Sequence, residues 1–247
     1  MNEQFFVNAI DKLEEFLRAK RPEIMALYGN IDHQTKSHEN DVVTELDKQL
    51  EGELRDLLQK FDPTINIVGE EYGGESGGTF WTIDPIDDTQ AFVRGLPYCS
   101  TMISLVVEDE PVLGVVYNFA LDDFYSAISG KGAFCNGKAI HVANRPINQA
   151  YIRTHVEKEL IGVLAKKAYR VAVTGFVLDL ARGAIDGYIT TGSMGEIWDY
   201  IPRAVIIKEA GGTVTNLGKD TYDWHNKSIV ACSPNLHEQL NSLAENL

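Results

Sequence analysis

The chain has 247 residues, room for one large domain or two closely packed halves, and its 44% hydrophobic and 23% charged content is that of a globular protein, not a disordered or fibrous one. Its 22 basic and 36 acidic residues leave a formal charge of −14, which repels nucleic-acid backbones and anionic membrane surfaces. Anionic substrates are repelled too, unless cations held by clustered carboxylates reverse the local sign.

Phe5, Phe6, Ala9, Ile10, Leu13, Phe16 and Leu17 recur at helical spacing, and Leu46, Leu50, Leu54, Leu57 and Leu58 do so again, so two helices are expected to open the chain. Residues 28–41 between them are polar and carry Gly29, Asn30, Ser37, His38 and Asn40, as a loop does. β-type runs at 65–68 and 80–83 each end in acidic residues and are separated by Gly73-Gly74 and Gly77-Gly78. Runs at 103–107, 112–117, 124–128 and 139–142, broken by turn residues, read as an antiparallel meander. After Asn148 helices are expected near 156–168, 176–182, 200–210 and from Asn235, with strands at 187–190, 213–215 and 229–232. The expectation is a layered α/β (α+β) protein, with an amino-terminal half over 1–148 that contains the meander and a carboxy-terminal α/β half over 149–247.

Cys99, Cys135 and Cys232 are odd in number and widely spaced, which suggests neither a disulfide framework nor a zinc site and fits a reducing cytoplasm. The amino terminus has no basic stretch leading into an apolar one, and no apolar run is long enough to span a bilayer, so neither export nor membrane anchoring is expected. His225, beside Trp224, reads as an ordinary partly buried histidine.

Four acidic islands remain: Asp41 to Asp47, Gly69-Glu70-Glu71, Asp84-Pro85-Ile86-Asp87-Asp88-Thr89, and Trp198-Asp199. Asp47 also reads as a solvated helix residue, Glu70-Glu71 as a polar loop, and Asp199 as a helix N-cap. The Asp84–Thr89 island is harder to explain structurally, because its carboxylates crowd together after an apolar strand and around a proline. Hard divalent ions such as Mg²⁺ take oxygen ligands of this kind, and Asp84, the Ile86 carbonyl and Asp87 offer them. Two such ions suit phosphoryl transfer, with a hydroxyl such as that of Thr89 positioning water.

In order and wording these islands resemble the inositol monophosphatase family of lithium-sensitive, magnesium-dependent phosphatases, over nearly the whole chain. The signatures are Asp-Pro-Ile-Asp-x-Thr at 84–89, Gly69-Glu70-Glu71, and Trp198-Asp199 followed by Glu209-Ala210-Gly211-Gly212. The resemblance implies alternating helical and sheet layers, two or three Mg²⁺ ions and a homodimer that hydrolyses a small phosphate monoester of inositol, sugar or nucleotide type. It assigns Glu70, Asp84, the Ile86 carbonyl, Asp87 and Asp199 to metal, Asp47 and Thr89 to positioning water, and Glu70 to activating it. Lys36, Asp88 and Thr89 are assigned to the phosphate. The carboxy-terminal half would complete the active site.

Asp88 stands where the family usually has glycine, and Tyr200-Ile201-Pro202-Arg203 where it usually has small residues. Counted back from Asp199, Gly192 takes the place of a glutamate that binds a sugar hydroxyl in inositol-cleaving members. Residues 148–170 form a shorter segment than usual, and Thr174-Gly175 replaces Gly-Ser. Asp88 and the altered helix start after Asp199 motivate a second reading, a catalytically degenerate member that binds metal or phosphate ligands and acts as a regulatory or partner protein.

Overall fold

The computed structural model describes residues 1–29, 34–35, 42–43, 45–155, 158–192 and 195–242, which form two compact units, Met1–Ile128 and Ser129–Leu247. The division precedes the change of sequence pattern after Asn148, because the hairpin that follows residue 128 is tied within the second unit. There Glu209 accepts the backbone N–H groups of Gly130 and Gly132 at 2.9 and 2.8 Å.

The first unit opens with helix α1 (Glu3–Leu27), capped by the Asn2 side chain, which accepts the N–H of Phe5. Ala9, Leu13, Leu17 and Ile24 are its buried stripe. The two-residue strands β1 (Gln34–Thr35) and β2 (Val42–Val43) pair antiparallel, and helix α2 (Glu45–Gln59) follows. Leu46, Leu50, Leu54 and Leu58 bury one face of α2, and the helix packs against the sheet at strand β4 (Phe80–Asp87). Strand β3 (Asn66–Gly69) runs parallel to β4. Beyond β4 come the short helix α3 (Thr89–Val93) and strands β5 (Ser100–Val107), β6 (Glu110–Asn118) and β7 (Asp123–Ile128). These strands are ordered β3-β4-β5-β6-β7, antiparallel from β4 onward, as the expected meander requires. One core runs from α1 and α2 onto this sheet, with Trp81, Ile83, Ile103, Leu105 and Val115 at its centre.

The second unit begins with the hairpin of β8 (Ala133–Cys135) and β9 (Lys138–Ile140), where a single strand at 139–142 was expected. Asn136 and Gly137, at φ 49° and 71°, form its tight turn, in which both central residues need positive φ. Strands β10 (Tyr151–His155) and β11 (Arg170–Ala172) pair in parallel around helix α4 (Lys158–Lys167). Sequence patterning misses both strands, since Arg153 and His155 interrupt the apolar alternation of β10. Strand β12 (Gly187–Thr190), helix α5 (Ile197–Glu209), strands β13 (Thr213–Asn216) and β14 (Ile229–Cys232) and helix α6 (His237–Asn241) complete the unit. Its sheet is ordered β11-β10-β12-β14-β13. The helix expected over 176–182 is only a 3-10 turn, Val177–Asp179. Positive-φ Gly175 and Gly183 flank that run, leaving too few residues to offset the unpaired groups at two α-helical ends. No described helix is long and apolar enough to cross a membrane.

Candidate active site

The decisive local feature is a bulge in β4. Asp84 pairs with Met102 and Asp87 with Ser100, so Pro85 and Ile86 together face the single residue Thr101. Proline has no N–H for the ladder, and the Pro85 carbonyl is taken by the Thr101 hydroxyl at 2.8 Å. In an unbroken strand, residues three apart point to opposite faces. The extra residue cancels one alternation and turns Asp84 and Asp87 to the same side. Their carboxylate oxygens lie within 4.8 Å of one another, with Asp84 only 1% exposed.

Beyond the bulge, Thr89 begins α3 and its hydroxyl donates to the Ile86 carbonyl at 3.1 Å. A carbonyl has two lone pairs, so this bond leaves Ile86 a second acceptor site. Asp47, in the first turn of α2, is 2% exposed, which removes its reading as a solvated helix residue. Glu70 follows β3 directly. Its N–H donates to the Ile83 carbonyl at 3.2 Å, which ties it beside the strand carrying Asp84.

Asp88 is exposed and left-handed at φ 56°, ψ 58°, the backbone region that glycine enters without strain. Its carboxylate turns onto α3 and accepts the N–H of Ala91 at 3.0 Å. Lys36 lies outside the described residues.

Asp199 belongs to the second unit. It is not the cap of α5 but its third residue: Glu196 is the N-cap, and Asp199 accepts the Glu196 N–H in a capping box. The helix therefore starts earlier than the sequence pattern suggests, and Pro202 falls past its first turn, where it has no N–H for the Trp198 carbonyl. Lys227 holds the cap residue in turn, with its Nζ 2.9 Å from Glu196 Oε1. His225 is exposed, stacked on Trp224 with ring centroids 3.6 Å apart, and its Nδ1 lies 2.8 Å from Asp223. The expectation of partial burial is corrected accordingly.

Sequence reasoning missed Glu51 and Arg55. Glu51 is fully buried on α2, and its Oε1 accepts Arg55 Nε at 2.8 Å. A signal was present: Asp47, Glu51 and Arg55 are four apart and share a helix face, beside a leucine stripe of the same period.

A family model described as the inositol monophosphatase family matches residues 6–247. The chain belongs to the inositol monophosphatase family. It is a phosphoric monoester hydrolase, as members of this family are. A fructose-1,6-bisphosphatase/inositol-1-monophosphatase of Thermotoga maritima is 32% identical over 227 residues, 88% of either chain. The solved structure of a Thermotoga maritima IMPase matches with a TM-score of 0.89 at 29% identity over 97% of both chains. An IMPase/NADP phosphatase solved with Mg²⁺ and phosphate has the same fold, with a TM-score of 0.83 at 24% identity over 96% of this chain and 95% of that one.

Proposed function

We propose that this inositol monophosphatase family member hydrolyses a small soluble phosphate monoester with magnesium, and that the bulged end of β4 is its catalytic centre. The observation that carries the proposal is the pairing of Asp84 and Asp87 on one side of the bulge, within 4.8 Å of each other. Two carboxylates this close, one of them buried, repel each other unless a cation lies between them. An all-oxygen donor set of carboxylates and a peptide carbonyl is the kind that hard divalent ions take, so the residues fit magnesium. The likeness to a structure holding Mg²⁺ and phosphate supports the same reading.

In this proposal Glu70, Asp84, the Ile86 carbonyl and Asp87 hold the first ion, and Asp84 and Asp87 share a second with Asp199. Magnesium supplies the Lewis acidity that neutralises charge on the phosphoryl and leaving oxygens. The chain's own residues orient the water. Thr89 keeps its hydroxyl on the Ile86 carbonyl, and Asp47, buried on α2, is the carboxylate paired with Thr89 for that task. Glu70 takes the water's proton. Lys36, Asp88 and Thr89 receive the phosphate, with the Asp88 carboxylate turned onto the Ala91 N–H.

Gly192 argues against myo-inositol phosphate as the substrate. Its φ is 79°, and a Cβ there would lie 2.7 Å from the Lys227 carbonyl carbon, so this position carries no group that reaches a sugar hydroxyl. Sugar, polyol and nucleotide monophosphates are therefore the panel to test ahead of myo-inositol phosphate. A homodimer in a reducing cytoplasm belongs to the same reading. Phosphate release across the panel is measured with magnesium, with chelator and in Asp87→Asn. Turnover that needs magnesium and disappears in the variant supports the proposal; turnover that survives chelation overturns it.

A further inference from the structure

Glu51 is a fully buried carboxylate with no place in the chemistry above. Its surroundings are a small closed loop. Gly69 and Gly73 exchange backbone hydrogen bonds at 3.0 and 2.9 Å, which closes residues 69–73 into a ring of chain after β3. The Glu51 carboxylate sits in its mouth: Oε2 accepts the N–H of Glu71 at 2.6 Å and Oε1 that of Tyr72 at 3.3 Å. Arg55 completes the clamp from the next turn of α2. Its Nε binds Glu51 Oε1, Nη1 donates to the Ile67 carbonyl at 3.3 Å, and Nη2 donates to the Gly73 carbonyl.

The fit is tight enough to dictate a neighbouring residue. Gly69 does not have positive φ, so its backbone conformation does not call for glycine. A Cβ on Gly69 would, however, lie 2.0 Å from Glu51 Oε1. Thus the glycine of Gly69-Glu70-Glu71 is required by the carboxylate opposite it.

We infer that Glu51, locked by Arg55, is the positioning residue that holds the Gly69–Gly73 loop against α2 and so presents Glu70 in a metal-binding orientation. The inference rests on the proposed role of Glu70 as a ligand. A buried ion pair is a weak source of stability, because desolvation offsets most of its attraction; what it supplies is geometry. Because α2 also carries Asp47, one helix face sets the register between the carboxylate that orients water and the loop that carries Glu70. Loosening the clamp makes each binding event order the loop as well as the ion, so affinity falls more than turnover. Partners behind metal ligands typically change affinity by about 10- to 100-fold.

The test is a magnesium titration of phosphate release in full-length Glu51→Gln, with calorimetric binding of Mg²⁺ to the substrate-free protein and a thermal melt. Glu70→Gln runs alongside. The expected result for Glu51→Gln is a half-saturating magnesium concentration raised about tenfold or more, a matching loss in calorimetric affinity, and a far smaller change in kcat at saturating magnesium. A lowered melting temperature with both magnesium readouts unchanged, or a fall in kcat alone, overturns the inference. If Glu51→Gln does not fold, Arg55→Lys carries the test, since it keeps the charge and loses the fork to Ile67 and Gly73; the same outcomes decide. If Glu70→Gln leaves magnesium affinity unchanged, the ligand role of Glu70 fails; if only the Glu51 and Arg55 variants do, the clamp alone is wrong.

Discussion

The Asp88 carboxylate accepts the Ala91 backbone N–H at 3.0 Å while the Asp88 backbone is left-handed at φ 56°. Strain and cap oppose each other in one residue. A left-handed non-glycine residue costs about 1–2 kcal/mol, and a helix cap returns about 1 kcal/mol. Asp88→Gly removes both and is expected to leave unfolding free energy unchanged or raised by up to about 1 kcal/mol, whereas Asp88→Ala keeps the strain, loses the cap and falls by about 1 kcal/mol. Urea unfolding of the pair checks this, and equal destabilisation by both would refute it. In the proposed site, removing an exposed carboxylate beside the phosphate position should also lower KM for a dianionic substrate, an effect that fades with added salt.

Thr89 offers a second check on the bulge. Its hydroxyl reaches the Ile86 carbonyl at 3.1 Å and stands for water positioning in the proposed mechanism. Thr89→Ser keeps that oxygen and should retain most activity, while Thr89→Val replaces it with a methyl group of similar shape. A lost proton-positioning group of this kind costs about 10²–10⁴ in rate. Steady-state kinetics at saturating magnesium should show kcat falling in Thr89→Val. A loss confined to KM would move Thr89 from positioning water to binding substrate.

The closeness of Asp84 and Asp87 was foreshadowed in the sequence, because carboxylates grouped around a proline after an apolar strand are costly without a cation. How Asp84 and Asp87 come to share a side was not legible, since alternation alone puts them on opposite faces and the bulge appears only once β4 is paired with β5. Helices α1 and α2 and strands β12 and β14 followed from periodicity. Strand β10 did not, because its neighbours β11 and β12 flank it on both edges and supply the pairing that its own pattern, with Arg153 and His155, does not announce. Glu51 escaped for a related reason. At helical spacing a charged residue next to a leucine stripe reads as the edge of the buried face, and only the closed loop opposite it shows why a carboxylate belongs there.

The cysteines differ sharply in expected reactivity. Cys99 and Cys232 are fully buried, whereas Cys135 is half-buried. Burial pushes the Cys232 thiol up to about 12 and raises that of Cys99 further still, with a smaller contribution from the charges of Asp87 and Asp88. Thiolate is the reactive form, so iodoacetamide at pH 8 should modify Cys135 alone in the native protein and all three cysteines after unfolding. Mass spectrometry of digests decides it; native labelling of Cys232 would contradict the burial. For stability the sign is negative. Between the ordinary thiol value and about 12 the folded chain holds the Cys232 proton that the unfolded chain releases, so stability declines as pH rises through that window.

Gly192 sets a limit on redesign. Its φ is 79°, and an added Cβ would meet the Lys227 carbonyl carbon at 2.7 Å and the Ser228 nitrogen at 2.8 Å, both backbone atoms. That backbone is not free to move. Asn216, only 2% exposed, donates from its side-chain amide to the carbonyls of Asp223, Asn226 and Ser228, and accepts the Asp223 N–H at 2.7 Å. Gly192→Glu should therefore destabilise the protein by about 1–3 kcal/mol, the cost of an ill-suited backbone conformation, without creating turnover of inositol phosphate. Asn216→Ala releases the opposing loop, so the penalty of Gly192→Ala should shrink in that background. A double-mutant cycle by thermal unfolding measures the coupling. Full additivity would mean that the φ angle alone, and not the Lys227–Ser228 backbone, enforces glycine at this position.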